Sequence, residues 1–173
     1  MSLAGRLLVA STMLGDPNFD RTVVFMLQHD DEGALGLVLN RPSDSAVHDH
    51  LPWLAGAVIE PYMVFVGGPV EPEIAIALES TQAPVRPTAL QGVGLADVNQ
   101  ADEGALLRVF SGYSGWGEGQ LEGELAEGAW IVVVAEPGDV FTADPGGLWA
   151  RVLRRQGGHL TLLSTYPPDP SLN

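Results

Sequence analysis

"GYSGWGEGQLEGEL", residues 112–125, follows the apolar run "LLRVFSGY" (106–113) and leads into "EGQLEGELAEG" (118–128). Two α/β signatures compete for this stretch with a plainer reading. A serine-hydrolase elbow needs G-x-S-x-G, because small residues on both sides of the serine relieve a strained strand-to-helix turn. Here Trp116 stands where the last glycine belongs, and no local signature supplies a histidine base for Ser114. A dinucleotide fingerprint needs G-x-G-x-x-G, and residues 115–120 miss the third glycine by one position. Electrostatics count further against it. No basic residue lies between Arg108 and Arg151, and Glu118, Glu122 and Glu124 occupy the helix start where a phosphate would have to bind. The remaining reading is a tight turn at the exit of a strand. Its glycines 112, 115, 117 and 119 allow close backbone approach, Tyr113 and Trp116 anchor it on the core, and Glu118 opens an acidic helix. The same turn presents an aromatic and an amide, Trp116 and Gln120, which suits contact with a partner or small ligand.

Outward from that turn the chain reads as strand-rich. Strands are expected at 6–11, 22–28, 34–40, 63–68, 73–79, 106–113, 129–135 and 159–166. Each is short, rich in Val, Leu, Ile and Phe, and bounded by Gly, Pro, Asp or Asn. Helices are expected at 45–58, broken or kinked by Pro52, at 118–128, and at 146–158, which ends on paired glycines. Strands outnumber helices and do not alternate with them, so the expected class is α+β, in one domain over residues 1–173.

Composition removes several classes of function. There is no cysteine, hence no disulfide, thiolate metal site or cysteine nucleophile. There is no lysine, hence no Walker loop. The formal net charge is −14 and all eight basic residues are arginines. Such a surface repels duplex nucleic acid and anionic membrane unless its cations gather in one patch. The one local gathering, Arg151, Arg154 and Arg155, suits ion pairing with nearby acids or a solvated face. The N-terminus lacks a signal-peptide pattern, and "AWIVVVA" (129–135) is too short to span a bilayer. A cytoplasmic protein is expected.

Other motifs are weaker. "HDDEG" (29–33) lacks the alternating ligands of a calcium loop and reads as a hairpin tip. His48 and His50 have no evident third metal ligand. "LNRPSD" (39–44) and "VGGPVEPE" (66–73) each run a strand into a breaker, with Asn40, Gly67 and Gly68 permitting tight geometry. Arg41 there reads either as a tie that holds the loop or as an anchor for an anionic ligand group. The candidate surface is therefore Asn40, Arg41, Gly67, Gly68, Tyr113, Trp116 and Gln120. It belongs to a non-enzymatic regulatory or adaptor module that binds a protein partner or small molecule, with no cofactor and no metal. The alternative is a hydrolase using Ser114, or a carboxylate pair, with His159 or His29.

Four motifs in order resemble the YqgE/AlgH family of bacterial proteins: "LLVASTMLGDPNFDRTVVFMLQHDDEGALGLVLNRPSD", "VFVGGPVEPE", "GYSGWGEGQLEGELAEGAWIVV" and "YPPDPSLN". The all-arginine composition and "LWARVLRRQGG" suit its actinobacterial branch. The resemblance implies an α+β fold whose bent, bifurcated sheet closes into a pseudo-barrel with flanking helices. It implies a transcriptional-regulator label but no catalytic residue, cofactor or substrate. The chain departs from the family pattern at "GLADVNQADEGALLRVF" (94–110), where relatives carry a longer helical segment.

Overall fold

The computed structural model describes residues 1–12 and 14–166. Among these residues nine strands form one mixed sheet: β1 (Arg6–Ala10), β2 (Val23–Asp30), β3 (Gly33–Val38), β4 (Pro42–Ala46), β5 (Met63–Val66), β6 (Val70–Ser80), β7 (Val93–Ala96), β8 (Leu107–Gly117) and β9 (Trp130–Val134). The pairing path runs β4-β5-β8-β3-β2-β1-β9, with β6 also on β8 and β7 on β6. The sheet therefore branches at β8. Its first half pairs antiparallel with β6 and, through Phe110 and Ser111, parallel with β5, while Ser114–Gly117 pair with Gly36–Gly33 of β3. The expected α+β class and branching follow from this pairing. The expected closure does not, because β4 and β9 end the path without pairing to each other.

Hydrophobic alternation explains why β1 and β2 read as unbroken apolar runs. Leu7, Val9, Val23 and Phe25 face one core, shared with Leu148, Val152 and Leu153 of α4 (Leu148–Gln156). Leu8, Ala10, Val24 and Met26 face the other, shared with Trp116, Trp130 and Leu121 of α2 (Gln120–Ala126). Successive strand residues point to opposite faces, so a strand covered on both sides needs apolar residues throughout. A third core packs Val47, Leu54 and Val58 on Ala77, Leu107 and Val109.

Several expectations need correcting. The strand before the expected turn runs on to Gly117, so "GYSGWG" is itself strand and the turn into α2 is only Glu118 and Gly119. The segment 45–58 is the end of β4, a four-residue α1 (Val47–His50) and a 3-10 turn (Pro52–Leu54), because Pro52 stops propagation. The expected strand at 159–166 is a helix, α5 (His159–Leu163), with Leu160 and Leu163 one turn apart against the first core. The polar β4, the short β7 and α3 (Pro137–Val140) were not expected. The motif "YPPDPSLN" lies outside the described residues except for Tyr166.

Candidate functional site

Gly67, Gly68 and Gly112 allow two backbones to cross at the branch of the sheet. A Cβ on Gly67 would overlap the Gly112 carbonyl, and one on Gly68 would overlap the Tyr113 carbonyl. Gly112 has φ +67°, and a Cβ there would stand 2.7 Å from Gly68 O and 2.8 Å from Val70 O. The Gly67 carbonyl accepts the Val38 N–H at 2.9 Å and the Ser114 hydroxyl at 3.1 Å. These glycines are required by the crossing itself.

Ser114 is fully buried and spends its hydroxyl on that carbonyl. No histidine among the described residues hydrogen-bonds to it. His29 accepts the Leu3 N–H at Nδ1, 2.9 Å, which leaves Nε2 to donate to Glu122 at 2.7 Å. That bond holds the Glu122 carboxyl below its ordinary value. His159 is exposed at the start of α5. The geometry assembles no nucleophile–base pair from these groups.

Asn40 and Arg41 are ties. Asn40 accepts the Val23 N–H at 3.0 Å and donates to Arg21 O at 2.9 Å. Arg41 donates to three carbonyls of the preceding loop: Asn18 O, Pro17 O at 3.3 Å and Asp20 O at 3.0 Å. Phe19 of the same loop stacks on Trp116 with ring centroids 6.2 Å apart and meets Trp130 edge-on at 5.5 Å. Arg41 and Trp116 thus hold one loop, residues 16–20, by its carbonyls and by its aromatic side chain. Trp116 is buried, as is Trp130, and both indole N–H groups donate to Glu124 Oε2 at 2.8 Å. Gln120 is exposed at the start of α2, where it accepts the Gly117 N–H and donates to Glu124 Oε1. Tyr113 is separate. Its hydroxyl donates to Glu71 at 3.0 Å, and that bond raises its pKa above the usual phenol value.

Two concavities flank Arg41. A small one, about 70 Å³, is bounded by Asn18, Val38, Val66, Gly68 and Pro69. A larger one, about 240 Å³, is bounded by Asp20, Arg21, Asn40, Gly146, Trp149 and Ala150. Arg21 lies over the Trp149 ring at 4.4 Å. Sequence reasoning missed Arg21 and Trp149. The only signal was an arginine closing the turn "DPNFDR", which does not reveal that α4 folds back against it.

The remaining arginines separate by partner. Arg155 makes a bidentate pair with buried Asp139, at 2.8 and 2.9 Å, which raises its pKa, and Arg151 pairs with Asp144 at 3.2 Å. Arg108 is buried and among the described residues pairs with no carboxylate, donating to Thr142 O at 3.0 Å and Glu60 O at 2.6 Å. Burial lowers its pKa to about 10. Among the described residues no group of three or more His, Asp or Glu could hold a metal ion. Among the described residues no helix is long and apolar enough to cross a membrane.

Comparison with known proteins places this geometry in a family. The AlgH-like family model matches residues 7–161. The chain belongs to the AlgH-like family. A UPF0301 protein of Streptomyces coelicolor is 50% identical over 186 residues, spanning 99% of this chain and 96% of its own length. A UPF0301 protein of Mycobacteroides abscessus is 44% identical, spanning 98% of this chain and 88% of its own length. Two solved structures superpose on the fold. The crystal structure of protein DIP2367 from Corynebacterium diphtheriae has a TM-score of 0.81 at 28% identity, covering 94% of this chain and 91% of that one. The solution structure of AlgH from Pseudomonas aeruginosa has a TM-score of 0.71 at 28% identity, covering 96% and 95%. None of these names states a reaction, ligand or partner.

Proposed function

We propose that this AlgH-like chain is a single-domain, cytoplasmic, non-enzymatic regulatory or adaptor module that captures a protein partner or small molecule at the surface around Arg41. One observation carries the reading. In a chain of net charge −14, the Arg21 and Arg41 guanidiniums border one concavity, and neither forms an ion pair among the described residues. A charged group without a counter-charge beside a cavity is suited to binding an anionic group, whereas Arg155 is already neutralised by Asp139. Any role in transcription then runs through a protein or metabolite, because the net charge opposes a grip on DNA.

The test is affinity capture from the protein's own lysate with immobilised wild type and Arg41→Ala. Wild type is expected to retain a partner that Arg41→Ala loses at least about fivefold, the scale of one charge-assisted contact. Equal capture by a folded Arg41→Ala would reject this surface.

A further inference from the structure

The division of labour among the groups around the larger concavity narrows what it takes. Asn40 spends both ends of its amide on Val23 N–H and Arg21 O. Arg41 spends its terminal nitrogens on three loop carbonyls. Arg21 differs. One of its nitrogens donates to Tyr166 O, and among the described residues its other donors meet no acceptor. Its backbone occupies the left-handed region, φ +53°, which a non-glycine residue holds only when its surroundings fix it. Here the Asn40 amide fixes the carbonyl, and the Trp149 face supports the guanidinium at 4.4 Å. A planar cation is thus presented to the concavity with donors to spare.

Among the described residues no carboxylate pairs with it. The chain carries 22 acids against eight arginines, yet among the described residues Asp20 is the only carboxylate bordering this concavity, and it pairs with neither guanidinium. The first turn of α4, which contributes Trp149 and Ala150, contains no acid.

We propose that this concavity binds the oxyanion group, carboxylate or phosphate, of a small molecule, with Arg21 as the contacting residue and Asn40 and Arg41 as positioning residues. This rests on the reading that the loops around Arg41 form the binding surface. A guanidinium fork matches the two oxygens of either group, and a space of about 240 Å³ admits a small anionic molecule or head group.

The experiment is calorimetric titration of the purified protein with inorganic phosphate and, separately, with succinate, at low ionic strength against matched sodium chloride. Wild type, Arg21→Gln and Arg154→Gln are compared, the last being an exposed arginine of α4 away from the concavity. Thermal melts establish that each variant is folded, and Arg21→Lys, which keeps the charge but loses the fork, guards against a folding defect in Arg21→Gln. The expected result is saturable binding of at least one anion, weakened about tenfold or more in Arg21→Gln. Arg154→Gln should match wild type and Arg21→Lys should fall between. Phosphate alone binding assigns a phosphate site, and succinate alone assigns a carboxylate site. Binding of neither anion above the chloride control, or equal binding by Arg21→Gln, overturns the inference. If neither anion binds but Arg41→Ala still loses partner capture, this inference fails and the broader reading stands.

Discussion

At the scale of single residues, glycine and arginine identities decide most of what this chain can build. Gly112 combines a left-handed backbone with carbonyl oxygens less than 3 Å from where a Cβ would stand. Gly112→Ala is therefore expected to cost at least about 2 kcal/mol, from left-handed strain plus overlap. Gly117→Ala has open space around it and should stay within about 0.5 kcal/mol of wild type. Urea midpoints of the two variants measure the contrast. The sequence marked Gly67, Gly68 and Gly112 as special but could not distinguish a contact surface from a backbone crossing, since the crossing joins residues more than forty positions apart. Glu122 supplies a pH signature. Its carboxyl is depressed by the His29 hydrogen bond from an ordinary value of 4.5, so its contribution is present above that value and lost as pH falls through the lower folded value. The melting temperature should decline below about pH 4.5, and Glu122→Gln should flatten part of that decline. An unchanged pH profile in the variant would remove the His29–Glu122 bond as a contributor.

At the scale of elements, the loop at 16–20 is the part whose role sequence reading missed. It is anchored twice, by Arg41 through carbonyls and by Phe19 against two indoles, so removing one anchor should loosen it without unfolding the sheet. Arg41→Ala is expected to lower global stability by only about 1–2 kcal/mol while amide exchange across 16–21 rises at least tenfold. Hydrogen exchange resolved by residue checks this, and uniform acceleration across β1 and β2 would contradict it. Glu124 does comparable work for α2, accepting from the indoles of β8 and β9. Glu124→Ala leaves two largely buried N–H donors without their acceptor and should cost about 2–4 kcal/mol, read from chemical denaturation. Element types were legible where a long apolar run met a clear breaker, as in β1, β2, β8 and β9. They were not legible at β4, "PSDSA", an edge strand whose polar residues carry no strand signal. The run at 159–166 failed for another reason. Short apolar runs fit strand or helix equally, and packing of Leu160 and Leu163 on the first core decided for helix.

For the whole molecule, two open stretches of strand edge carry residues that oppose further pairing. Beyond its pairing with β7, β6 carries Glu71, Pro72 and Glu73, and β4 carries Pro42 and Asp44, all residues that discourage further strand pairing. The α+β class was visible in the count and spacing of strands, and a bifurcated sheet was implied only by family resemblance, which did not say that β8 is the strand where it branches. Pairing partners depend on contacts between distant residues, which periodicity does not encode. The gathering of the candidate residues was legible in part for the same reason. Asn40, Arg41 and Gly68 do gather beside the 16–20 loop, but Trp116 lies inward, Tyr113 faces Glu71, and Arg21 with Trp149 enters only when α4 packs back. The proposed function is capture at this cationic surface within an acidic chain. Native mass spectrometry of wild type and Arg41→Ala, each gently purified from the protein's own cells, tests it most directly. A reproducible extra mass, small molecule or partner chain, is expected on wild type and missing from the folded variant. The same extra mass on both proteins, or bare chain in both, would contradict it.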